Sequence, residues 1–143
     1  MPDLKSLDNL LTLVVCCLQP IRNLIKKPMI ITSGFRSSKV NFFAGGEINS
    51  QHLYGQAADF VIKGMTPKQI IEKIKASGVE FDQVIDELTW VHISYNKGKN
   101  RKQYLLLYQL TSLVFDSLIE FEIGRLLKKD VKIVKDIEDS LRF

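Results

Sequence analysis

From Ser6 onward the apolar positions Leu7, Leu10, Leu11, Val14 and Leu18 fall on one helical stripe, which predicts an amphipathic helix with Ser6 as its N-cap. Pro20 lacks an N–H and crowds the preceding turn, so it should kink or divide that helix. Ile21, Leu24 and Ile25 continue a second piece, and Lys26-Lys27-Pro28 ends it. Met29 to Thr32 then reads as a short buried strand running into a turn at Gly34. Between Ser37 and Ser50 the periodicity lapses; Asn41, Gly45-Gly46 and Asn49 permit tight turns, and a loop of this length in a small domain is usually functional.

Periodicity returns with Ala57 to Ile62, read as a strand, and with a helix that Thr66-Pro67 opens and Gly78 closes after about Ser77. Phe81 to Glu87 and Trp90 to Tyr95 are two β-prone runs separated by Leu88-Thr89, which predicts an antiparallel hairpin. Asn96 to Lys102 is a basic loop. From Tyr104 the positions Leu110, Leu113, Val114, Leu118 and Phe121, then Val131, Val134, Ile137 and Leu141, recur at helical spacing. The expectation is an α+β fold, a small antiparallel sheet with flanking helices, over residues 1–103, followed by a helical C-terminal extension over residues 104–143. That extension is expected to pack on the domain or on a partner copy, because its apolar stripe exceeds what a solvated tail needs while Glu120, Glu122, Asp136, Glu138 and Asp139 oppose an anionic membrane surface.

Composition narrows this picture only a little. With 45% hydrophobic and 25% charged residues the chain is an ordinary globular one, neither disordered nor fibrous, and 143 residues suffice for one core. A net charge of +4 is mildly basic and needs no polyanionic partner to explain it. Cys16 and Cys17 are neighbours without a further cysteine, so neither a disulfide framework nor a thiolate metal site is expected. The stretch Leu10 to Leu18 is too short to span a bilayer, and Asp3, Lys5 and Asp8 spoil a secretory pattern; the expectation is a chain without a signal peptide or membrane span, cytoplasmic until released or acting at a cell wall.

The candidate chemistry lies in the two histidines the chain contains. His52 stands in Ser50-Gln51-His52-Leu53-Tyr54-Gly55-Gln56-Ala57-Ala58-Asp59 and His92 in Trp90-Val91-His92. A catalytic metal needs three protein ligands and an open position, and two imidazoles with one carboxylate are a known set. His52 and Asp59 would lie on opposite faces of a single strand, but Gly55 allows a turn between them. The pattern S-x-H-x-x-G-x-A-x-D followed by W-x-H, with Ser33-Gly34-Phe35-Arg36-Ser37 upstream, resembles peptidase family M15, which includes zinc D-Ala-D-Ala carboxypeptidases and phage endolysin peptidases and is related to the hedgehog signalling domain. The resemblance covers residues 7 to 103. It implies a hedgehog/DD-peptidase-like fold, Zn2+ held by His52, Asp59 and His92, and Arg36 facing the substrate, where it would polarise the scissile carbonyl. It further implies Ser50 as a residue that holds the peptide and Trp90 as a wall of the cleft, although Ser50 also suits a turn and Trp90 a core.

The general base is the one element where the chain departs from the pattern. Several relatives carry an acid three residues before the second histidine, where this chain has Thr89. If Leu88-Thr89 is the hairpin loop, Glu87 pairs with Trp90 and lies diagonally beside His92, while Asp86 pairs with Val91 and faces away. Glu87 is therefore favoured over Asp86. The implied activity is hydrolysis of peptidoglycan peptide bonds by a zinc-activated water, as a carboxypeptidase or an endopeptidase. The alternative is a non-catalytic zinc-binding module for a wall peptide or a protein partner, kept open by Thr89. Nucleic acid is not an expected partner, because the basic loop Lys97 to Lys102 has only Tyr95 and Tyr104 as flanking aromatics.

Overall fold

The structure, a computed structural model, describes residues 1–106. The expected C-terminal helices beyond that point lie outside the described residues.

Helix α1 (Leu4–Leu13) starts one turn earlier than the apolar stripe suggests. Asp3, and not Ser6, is its N-cap, with Oδ1 accepting from the Ser6 N–H at 2.7 Å. α1 passes through a π-turn at Val14–Leu18 into α2 (Gln19–Ile25), so Pro20 lies in the first turn of α2. Widening the turn removes the bond that Pro20 cannot make and relieves its clash with the turn before it. The two pieces form one 22-residue helix, Leu4–Ile25, long and apolar enough by length and composition to cross a membrane. Pro20 was expected to kink or divide the helix; the π-turn accommodates it within one continuous run. α2 stops at Lys26, which caps it in the left-handed conformation with φ 56°.

The buried face of this helix is only in part the predicted one. Leu13, Cys17, Leu18 and Ile21 enter the core, whereas Leu7, Leu11 and Val14 are exposed. A segment apolar on nearly every side gives periodicity little to choose from, so tertiary packing decides the face.

Strands β1 (Met29–Ser33), β2 (Ala57–Ile62), β3 (Gln83–Asp86), β4 (Val91–Ser94) and β5 (Gln103–Leu106) form a five-stranded sheet in the order β1-β2-β4-β3-β5. All neighbours are antiparallel except β3 and β5. The architecture is the expected α+β one, with an open, mostly antiparallel sheet. β5 is a correction: Tyr104 to Leu106 were expected to begin a helix, but Tyr104 pairs with Val84 and Leu105 with Ile85. A short apolar run fits either period, and an available sheet edge decides it. A second correction falls in the expected loop, where α3 (Ser38–Phe43) forms a short helix capped by Ser37 Oγ.

α4 (Pro67–Ser77) has the predicted boundaries, with a reciprocal capping box between Thr66 and Gln69 and Gly78 as C-cap. Its Ile70, Ile71 and Ile74 join the helix α1–α2 residues over one face of the sheet, where Ala58, Phe60, Ile62, Val84, Val91 and Ile93 are buried. Register assigns the other face. Asp59 pairs with His92 and with Ser33, and Ile85 pairs with His92, so these four residues share the side away from the core.

Candidate metal centre

β2 and β4 bring Asp59 and His92 side by side, and a single 3-10 turn, Gln51–Tyr54, delivers His52 from the loop before β2. Gly55 ends that turn at φ 68°. A Cβ there would stand 2.3 Å from the Ser6 carbonyl oxygen of α1, so glycine satisfies both the left-handed backbone and the close approach. The chain then reverses into β2, which resolves the face problem posed by the seven-residue spacing of His52 and Asp59.

Three donor atoms converge. His52 Nε2 lies 3.2 Å from Asp59 Oδ1 and 3.2 Å from His92 Nδ1, and His92 Nδ1 lies 2.9 Å from Asp59 Oδ1. A tetrahedral ion with bonds of about 2.0–2.1 Å separates its donors by roughly 3.3 Å. The observed triangle is thus close to the size such an ion requires, and among the described residues it is the cluster able to hold a metal. His52 Nδ1 faces the Gly34 carbonyl oxygen at 2.7 Å, so the N–H belongs on Nδ1 and the Nε2 lone pair turns to the cluster. The His52 carbonyl also accepts from the Arg36 backbone N–H at 3.0 Å. The Ser33-Gly34-Phe35-Arg36 element therefore orients the histidine from two directions.

Burial alone would raise the Asp59 carboxyl. Hydrogen bonds to His52 and His92, and their charges, outweigh it and hold the group well below the usual carboxylate range. The same contacts favour the ionised carboxylate, the form that can coordinate a metal. Arg36 forms an ion pair with the other oxygen, Asp59 Oδ2, through Nη2 and donates from Nε to Ser33 Oγ at 2.8 Å. Arg36 is thus directed at the carboxylate of the cluster, with further guanidinium N–H groups beyond these bonds.

The β3–β4 hairpin has the register expected from sequence: Ile85 pairs with His92, Asp86 with Val91, and the Glu87 N–H donates to the Trp90 carbonyl at 3.1 Å. Asp86 is engaged in the turn itself, where Oδ1 accepts from the Leu88 N–H at 2.9 Å and stabilises the positive φ of Leu88. Glu87 stands by the cluster. Burial pushes its carboxyl up; His92 and Arg36 draw it down, and Asp59 and Asp86 push it up further.

Ser50 caps the 3-10 turn, its Oγ accepting from the His52 N–H at 3.4 Å, so its hydroxyl serves the turn. Trp90 is not core: it is 38% exposed and stands just before β4, two residues from His92. Two groups escape a reading of the sequence. The Gly34 carbonyl is a backbone atom with no residue signature, and Asp82, a fully buried carboxylate, shows itself only as a charge out of place between Phe81 and Val84. Two surface hollows, one along Arg22, Lys26 and Lys27 and one between Leu24, Met65, Lys68 and Lys73, include no residue of the cluster.

No curated protein matches the chain significantly. The sequence profile of the Peptidase M15 family matches residues 5–94, a span that takes in every residue of the cluster, the Gly34 and Arg36 contacts to it and the Glu87 hairpin. The chain belongs to the peptidase M15 family.

Proposed function

We propose that this protein is a zinc metallopeptidase that hydrolyses peptide bonds in the peptide part of peptidoglycan. The observation that carries the reading is the convergence of His52 Nε2, Asp59 Oδ1 and His92 Nδ1 at separations of 2.9–3.2 Å, two nitrogens and one carboxylate oxygen, a donor set that suits zinc. The bound ion would supply Lewis acidity and lower the pKa of a water. Everything else falls to the chain. Gly34 fixes the His52 tautomer. Arg36 holds Asp59 Oδ2 and offers its remaining N–H groups to an oxygen that gains negative charge. Glu87, half-buried beside His92, takes the proton from the attacking water and returns it to the leaving amine. Asp86, tied to Leu88, is left out. Trp90 offers an exposed indole face two residues from His92, suited to an apolar part of the peptide.

Support for peptidoglycan as substrate comes from the likeness of the Ser50–Asp59, Trp90–His92 and Ser33–Ser37 elements to D-Ala-D-Ala carboxypeptidases and endolysin peptidases. The test is mass spectrometry of defined muropeptides incubated with zinc-loaded protein. Loss of a terminal D-Ala or scission of a stem or crosslink is expected, and the mass lost identifies the bond. Muropeptides that are bound yet stay intact, with Zn2+ present at one per chain, would favour a non-catalytic binding module.

A further inference from the structure

Asp82 is 0% exposed, a setting in which a carboxylate persists only if its oxygens are satisfied. Oδ1 accepts from the Arg101 backbone N–H at 2.9 Å and from Arg101 Nε at 2.8 Å; Oδ2 accepts from Arg101 Nη2 at 2.6 Å and from Gln51 Nε2 at 2.8 Å. Its own backbone is bound on both sides. The Asp82 N–H donates to the Ser94 carbonyl at 2.7 Å, and its carbonyl accepts from the Gln103 N–H at 3.0 Å. Asp82 is therefore a fixed point of the sheet.

Gln51 is the residue before His52 in the same four-residue 3-10 turn, and a turn of that length has little stability of its own. Its place is set by what it is tied to. On one side His52 is held by Gly34 and Arg36; on the other, the Gln51 side chain reaches across 31 positions of sequence to Asp82. We infer that Asp82, acting through Gln51, is a positioning residue that sets where His52 sits in the metal centre, with Arg101 compensating the buried charge. The basic loop thereby has a structural task, since Arg101 closes it onto Asp82. The inference rests on His52 being a metal ligand, as proposed above.

Gln51→Glu sets a second carboxylate against Asp82 Oδ2, and Gln51→Ala removes the donor without adding charge. In the double variant Gln51→Glu/Asp82→Asn the polarity of the pair is reversed, and an amide N–H can again donate to a carboxylate. Each full-length protein is titrated with Co2+ in competition with a chelator. The Co2+ absorption bands and the melting temperature of the metal-free form are recorded alongside. Both single variants are expected to lose about ten- to hundredfold in Co2+ affinity with altered bands, as loss of outer-sphere support typically does. The double variant should recover most of that loss. Binding by Gln51→Ala within about threefold of the parent, whatever its melting temperature, would show that the bond merely braces the fold, and so would a double variant no better than Gln51→Glu. A parent chain that binds no Co2+ overturns the metal-site reading itself, and this inference with it.

Discussion

At the scale of single residues, the two charged groups beside the cluster can be separated by what each substitution spares. Glu87 touches no donor atom, so Glu87→Gln should leave metal content at the parental value while lowering kcat roughly 10²–10⁴-fold, the usual contribution of a positioned proton carrier. Asp86→Asn keeps an acceptor for the Leu88 N–H and should stay near parental activity. Metal analysis and muropeptide turnover of both variants check this, and loss confined to Asp86→Asn would contradict it. Arg36 is different because it holds Asp59 Oδ2. Arg36→Ala is expected to weaken metal binding by about ten- to hundredfold as well as turnover; a fall in kcat with unchanged metal affinity would assign Arg36 to the substrate alone. The ligands themselves are legible as a motif because their chemistry is written in side-chain identity. Which nitrogen of His52 faces the cluster is not, since that depends on the Gly34 carbonyl, a group every residue possesses.

The elements show where local signals suffice. α4 follows its sequence from cap to cap because Thr66, Pro67, Gln69 and Gly78 each satisfy a specific backbone need at its ends. The first helix does not, because a nearly all-apolar segment lets tertiary packing choose the face and the proline is absorbed by a π-turn. β5 resembles a helix start in sequence for a similar reason: its partner, β3, is non-local. Two predictions belong here. Gly55→Ala must adopt φ near 68° with its Cβ against the Ser6 carbonyl, costing at least about 1–2 kcal/mol for the left-handed backbone alone, and the melting temperature should fall by roughly 4 °C or more. An unchanged transition by calorimetry would mean that α1 and the 3-10 turn are not so closely apposed. The second concerns acid. Arg101 above all, then its backbone N–H and Gln51, hold the Asp82 carboxyl below its ordinary value against the opposing effect of burial. A depressed folded pKa stabilises the fold above the unfolded value, near about 3.9, and that stability is lost as pH falls below it toward the folded pKa. Asp82→Asn should therefore be less stable than the parent at neutral pH, and the gap should narrow as pH falls from about 5 to about 2. Asp59 shifts in the same direction in both proteins and cancels from the comparison. A gap that widens in acid would rule this out.

For the molecule as a whole, the cluster joins the 3-10 turn that carries His52 to two strands, β2 and β4, that backbone pairing already holds in register. His52 comes from a 3-10 turn, Asp59 from β2 and His92 from β4, and this face of the sheet lies opposite the one that α1, α2 and α4 cover. Among the described residues the apolar core lies on one side of the sheet, so part of the order on the other side comes from polar contacts, and three of the groups making them are His52, Asp59 and His92. An ion that binds the native cluster and not the unfolded chain stabilises the fold by mass action, about 2.7 kcal/mol when free metal is a hundred times Kd. For a domain of this size that corresponds to a rise in melting temperature on the order of 10 °C. Chelation should thus lower the transition by about that amount, and re-addition of Zn2+ should restore it. His52→Ala should melt at one temperature with or without metal, since a ligand is gone and the chelator has nothing to remove. If the parent melts identically in chelator and in excess Zn2+, no ion binds the native cluster in preference to the unfolded chain, and the reading of His52, Asp59 and His92 as a metal site fails.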